Sequence, residues 1–149
     1  MPRLVIRKAD SKDSDAIALI LPDLGYIGST EEVSRRIGRL SQWPETEVLI
    51  ASVEGEVVAL CHVQGVPLLA TDGYAEVQAL VVRRTNQRQG IGKQLLAQAV
   101  AWSAAHGYTR VRLRSGLHRN QAHLFYESQG FIRSKPSYAF EFTLKNGDA

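Results

Sequence analysis

Leu80-Val-Val-Arg-Arg-Thr-Asn-Gln-Arg-Gln-Gly-Ile-Gly-Lys93 is the stretch of this chain whose reading decides the fold. Its first three residues, Leu80, Val81 and Val82, are apolar without a break, as at the end of a buried strand. A polar turn follows, then a helix opening on Gly90, Ile91 and Gly92. Amides at a helix start lack intrahelical partners, and the macrodipole makes that end partly positive. Glycines let a diphosphate come close to those amides, and Arg88 and Lys93 add charge around it. The plainer reading is a strand-to-helix turn with no ligand. Two other phosphate motifs are excluded. A dinucleotide fingerprint needs a third small residue where Leu95 stands, and an acid about 20 residues on. A P-loop needs glycine at Gln87 and a hydroxyl at Gln94.

Outward from this stretch the elements alternate. Leu4 to Lys8 is β-prone, and Ser11 to Asp15 leads into a helix on Ile17, Ile20 and Leu21, expected to stop near Pro22. Ser29 and Glu32 form a capping-box pattern before Val33, Ile37 and Leu40. Val48 to Val53 and Val57 to Val63 flank Glu54-Gly-Glu56 as a hairpin. Tyr74 to Val82 is the next strand, and Gly90 to His106 is a helix stopped by Gly107. Arg110, Arg112 and Arg114 alternate with Val111 and Leu113 in a half-buried strand, its arginines on a solvated face. Asn120 to Gln129 is a short helix. A strand from Phe131 and another over Tyr138 to Leu144 complete the order β-α-α-β-β-β-α-β-α-β-β. This predicts a single α/β domain over residues 1–149, with a mixed central sheet flanked by helices.

Gln87-Arg-Gln-Gly-Ile-Gly92 resembles the Gln/Arg-x-x-Gly-x-Gly/Ala signature of the GNAT superfamily of N-acetyltransferases. Element order resembles that family along nearly the whole chain, and residue detail does so from about Glu76 to Phe131. The resemblance implies the GNAT acetyltransferase fold and acetyl-CoA as acetyl donor. It implies that the loop Gln87, Arg88, Gln89, Gly90, Ile91, Gly92 and Lys93 binds the pyrophosphate. The backbone of Leu80, Val81 and Val82 would pair with the pantetheine arm like an extra strand, because a bulge splays this strand from the next. Arg84 stands where many members carry proline.

Asn120-Gln-Ala-His-Leu-Phe-Tyr-Glu-Ser-Gln-Gly-Phe131 resembles the family's other hallmark. By that resemblance Asn120 offers an amide to the pantetheine, and Tyr126 sits beside the sulfur and protonates the departing thiolate. Phe125 reads as core. Glu76, on the strand that would receive the pantetheine, matches a strand glutamate that some members use as base, directly or through water. A solvated carboxylate is an equal reading. Gln78 would share its face and orient a substrate or water. The oxyanion donor would be the amide of Val82 or its neighbour.

Direct transfer in a ternary complex is the family norm. The rival is a covalent route through Cys61, though a lone cysteine on an apolar strand is usually inert packing. His62, His106, His118 and His123 have no metal-ligand spacing. The acceptor is a primary amine, against loops Pro22 to Gly28 and Gly65 to Gly73, with Asp23, Glu31, Glu32 and Asp72 available to attract an ammonium. Small amines, aminoglycoside-like compounds, amino acids and protein amines all remain open. A net charge of +3 suits a polyanionic cofactor but does not argue for nucleic acid. The one cysteine and the absence of an export-type apolar stretch or membrane-length run point to the cytoplasm. A homodimer is compatible with all of this. Two other classes remain: a non-catalytic acyl-CoA sensor, and a nucleic-acid module that would lack the expected interleaved aromatics.

Overall fold

The computed structural model describes residues 3–115 and 119–144. The chain divides into two compact units, Met1–Arg114 and Ser115–Ala149. The first holds a five-stranded sheet of β1 (Leu4–Lys8), β2 (Thr46–Val53), β3 (Glu56–Val66), β4 (Tyr74–Val82) and β5 (Val111–Leu113), in sequence order. Neighbours from β1 to β4 are antiparallel, and β5 joins β4 in parallel. The sheet is therefore mixed, as expected. Its helices are α1 (Ser14–Leu24), α2 (Thr30–Leu40) and α3 (Ile91–Ala105).

Each helix lies where its apolar residues find a sheet face. Ile17 and Ile20 of α1 and Val33 of α2 pack with Ile50, Leu60 and Val81, which are opposite one another across β2, β3 and β4. The α3 residues Ile91, Leu95, Leu96 and Ala99 are buried, and α3 packs on β2, β3 and β4. By strand alternation the other face carries Leu49, Cys61 and Val63. Burying each large side chain here contributes about 1.5–3 kcal/mol. The β2–β3 turn uses Glu54 and Gly55 at φ 50 and 83, the two positive values of a type I′ hairpin. The α2 capping box is formed: the Glu32 amide donates to Ser29 Oγ at 3.1 Å, and the Ser29 amide to Glu32 Oε1 at 3.0 Å.

Three expectations need correction. The first helix does not stop at Pro22 but runs to Leu24, ending at Gly25 with φ 96. Proline in a last turn removes one backbone bond, and Leu21 and Leu24 packed on the core outweigh that loss. The strand expected from Arg110 to Arg114 is only Val111–Leu113, for a reason given below. The strands expected from Phe131 and over Tyr138 to Leu144 are absent from the described residues; the second unit holds only α4 (Asn120–Ser128). Tyr138, Phe140, Phe142 and Leu144 are exposed. Alternation supplies a strand's faces, but a ladder also needs a backbone partner.

The entry to α1 is pinned by charge. Arg7 on β1 donates from both terminal nitrogens to Asp13, at 2.9 and 2.8 Å, and the Asp10 amide donates to the same carboxylate. The Arg7 bonds hold the Asp13 carboxyl below its ordinary 3.8, against the upward pull of burial. A depressed carboxyl contributes stability above its unfolded value and loses it as pH falls through the folded one. Arg7 is half exposed, so water screens the pair. Asp13→Asn should cost on the order of 1 kcal/mol at neutral pH, and the difference from the parent should shrink below about pH 4. Denaturant melts at pH 7 and pH 3 check both parts.

Candidate active site

β4 is bonded along its whole length on one edge and along a third of it on the other. Against β3 it pairs from Tyr74 to Val82, with a register shift that sets His62 opposite Ala79 and Val63 opposite Val77. Gln78 is thus an extra residue, a β-bulge. Against β5 the ladder covers only Ala75, Val77 and Glu76 between them, and stops where the bulge begins. This is why β5 is three residues long. Beyond the bulge, the Arg83 amide donates to Val58 on β3 at 2.8 Å. By alternation Val81 faces β3 as well, and the backbones of Leu80 and Val82 face the open edge.

That edge leads into the loop from Arg83 to Gly90 that opens α3. Arg88 and Gly90 both have positive φ, 65 and 79. Gly90 is the N-cap of α3, and no side chain caps the helix. Its first intrahelical bond runs from the Gln94 amide to the Gly90 carbonyl, so the amides of Ile91, Gly92 and Lys93 are left without a helical partner. A Cβ at Gly90 would meet nothing within 4 Å, so the space beside the N-cap is open. Gln87 spends its side chain on the Val82 carbonyl, at 3.1 Å. It therefore staples the loop to the strand. The Arg84 amide points at Asp23 Oδ2 of α1, at 3.4 Å.

The bulge also changes which residues share a face. Past it, Glu76 lies opposite Gln64 on β3 and Arg112 on β5, so it falls on the face that carries Leu60 and Val81. A polar row crosses the sheet there. Thr46 Oγ1 lies 2.8 Å from His62 Nε2, and burial pulls the His62 pKa down. Glu76 is largely buried. It accepts from Gln78 Nε2 at 2.9 Å and pairs with Arg114 at 3.5 Å. Glu76 and Gln78 are thus together, as their spacing suggested. His62 and Arg114 were not expected in this company, because only the strand register brings them there. Asp23 and Glu32, expected to attract an ammonium, are engaged with Arg84 and with the α2 cap.

In the second unit, Asn120 begins α4 and is exposed, and Tyr126 is half-buried, its ring edge-on to Phe125 and Phe131. His118 lies outside the described residues. Cys61 has no solvent exposure, and burial pushes its thiol up to about 12. A thiol so placed offers neither thiolate nor access, the two requirements of a nucleophile.

The model of the acetyltransferase (GNAT) family matches residues 15–131. The chain belongs to the GNAT acetyltransferase family. It is an acetyl-CoA-dependent N-acetyltransferase with acetyl-CoA as donor. Over 147 residues it is 29% identical to the aminoalkylphosphonate N-acetyltransferase of Salmonella typhimurium, covering 96% of this chain and 92% of that protein. Among solved structures it is similar to an aminoglycoside N-acetyltransferase in complex with CoA, with a TM-score of 0.85, 12% identity and 97% of each chain covered. It is also similar to a transcriptional regulator from Bacillus halodurans, with a TM-score of 0.84, 23% identity, and 94% and 100% covered. At such identities the two structures speak for the GNAT fold alone. No helix among the described residues is long and apolar enough to cross a membrane.

Two outcomes follow for the GNAT site. Gly90→Val places a β-branched residue at φ 79 and in the approach to the amides. It should weaken CoA binding at least tenfold by calorimetry, with a stability cost of about 1–3 kcal/mol. Parental affinity in the folded variant would move the phosphate elsewhere. Cys61→Ala should keep turnover within about twofold, and the parent thiol should react with a thiol reagent only on unfolding. Rapid labelling of native protein, with loss of activity in the alanine variant, would reinstate the covalent route.

Proposed function

We propose that this GNAT enzyme passes the acetyl group directly from acetyl-CoA to a primary amine of a small molecule, both bound together, in the cytoplasm. The observation that carries this reading is the open edge of β4 from Gln78 to Val82, running straight into the uncapped start of α3. An extended amide-bearing arm fits the Leu80 and Val82 backbones as a short added strand, and a diphosphate fits the three amides at Ile91, Gly92 and Lys93. We take residues 1–149 to serve one acetyltransferase domain, since the family match runs through both units.

In the reaction the amine nitrogen forms a bond to the acetyl carbon and the carbon–sulfur bond breaks. Glu76 takes the amine proton, directly or through a water that Gln78 helps to hold. The amide of Val82 or of its neighbour steadies the oxyanion. By the family resemblance, the Tyr126 phenol gives its proton to the departing thiolate, and Asn120 holds the pantetheine. The relatives' names bring two acceptor classes into view, aminoalkylphosphonates and aminoglycosides.

Tyr126→Phe keeps the ring and deletes the proton. General acid assistance is worth roughly 10²–10⁴ in rate, and a thiolate leaves readily, so turnover should fall toward the hundredfold end. CoA affinity should hold. Stopped-flow measurement of thiol release across an amine panel checks this. Parental turnover with chemistry rate-limiting would remove Tyr126 as the acid. Cofactor binding without acetylation of any amine would favour the non-catalytic sensor.

A further inference from the structure

On the face that carries Glu76, β5 and the residue on either side of it present three arginines. Arg110, Arg112 and Arg114 sit two residues apart, so their side chains leave the same side of the strand at intervals of about 6.6 Å. Their surroundings differ. Arg114 pairs with Glu76. Arg112 and Arg110 lie over the ring of buried Tyr74, with Cζ 4.6 and 5.7 Å from its centroid. Neither forms an ion pair among the described residues. Two like charges thus meet at one aromatic ring, both exposed to water, on the sheet face of the carboxylate proposed to receive the acceptor's proton.

The ring restrains both guanidinium groups by cation–π contact, so a ligand would not have to order them. Guanidinium forks match the oxygens of a carboxylate, phosphate or phosphonate and can bind them through paired N–H groups. The same charges act against a plain alkylamine or a polycation. Its ammonium would have to come to Glu76 past two cations that no described residue neutralises. An acceptor that carries its own anion a few atoms from the amine meets both requirements. Its anion lies on Arg112 and Arg110, and its nitrogen reaches toward Glu76.

Resting on the acetyltransferase reading above, we infer that Arg112 and Arg110 select a compact amine bearing an oxyanionic group, and so set the acceptor class of this enzyme. Tyr74 is a positioning residue for the pair. This chemistry excludes aminoglycoside-type polycations as preferred acceptors.

The test uses the full chain at fixed acetyl-CoA with four acceptors: an aminoalkylphosphonate, the amino acid with the same spacer, the alkylamine of the same length, and an aminoglycoside. The two anionic acceptors should exceed the alkylamine and the aminoglycoside in kcat/KM by tenfold or more, and the margin should narrow as salt is raised. Whether phosphonate or carboxylate ranks first separates the two sources of the anion. Arg112→Gln should cut the anionic-to-neutral ratio at least tenfold, mainly through KM, and Arg112→Lys should restore part of it. An alkylphosphonate without an amine should inhibit the parent competitively against the acceptor, and the glutamine variant far less. Melting temperatures of both variants should stay near the parental value, because Arg112 is exposed. Amines acetylated with no preference for the anionic ones, or a ratio unmoved in Arg112→Gln, would overturn the inference while leaving the acetyltransferase reading intact. No acetylation of any amine would overturn both.

Discussion

Backbone N–H and C=O groups in a folded chain need partners, and two adjoining stretches of the described residues leave them over by construction. One is the β4 edge beyond Gln78, where β5 has ended. The other is the first turn of α3, where no side chain caps the amides. The two are contiguous. β4 aims at the loop, and Gln87 ties the loop back to the last strand carbonyl, so their relative placement is fixed by hydrogen bonds. Unsatisfied groups at an exposed edge are normally a hazard, because another chain can pair with them. Here they have the geometry of a socket for something strand-like with a charged end.

Around this socket the sheet sorts its residues by chemistry. The face under α1 and α2 is apolar where the helices cover it, at Ile50, Leu60 and Val81. It turns polar farther along, at Thr46, His62, Gln64 and Glu76. The face under α3 is apolar at Leu49, Cys61 and Val63, and its acid, Glu47, is paired with Lys8. Cys61 shows how strongly position decides reactivity, since burial alone takes its thiol out of ordinary acid–base chemistry.

Much of this could be read from residues alone. β4 was delimited correctly from Tyr74 to Val82 by its apolar end and flanking turns, and α3 by its glycines and buried stripe. The capping box at Ser29 and Glu32 is a short-range signal and formed as written. What was missed depends on strand register, which no local pattern encodes. Arg110, Arg112 and Arg114 read as a solvated face, and they are exposed. Their contacts with Tyr74 and Glu76 exist only because β5 lies parallel to β4 with Val111 opposite Ala75. Tyr138 to Leu144 failed for the converse reason, a local pattern with no ladder to join.

The bulge at Gln78 makes β4 a strand with two phases. Counting back from Val81, every second residue belongs to one face until Ala79. One residue is then skipped, and the count resumes at Glu76 and Tyr74. Remove that one residue and everything before it turns over. A carboxylate and a phenol would be driven under α3, and Val77 and Ala75 would be put out to water. The length of this strand is therefore frozen to the single residue, while the nearby loops are free to vary. Acceptor preference in such a scaffold can drift through substitutions, but not through insertions or deletions in this strand.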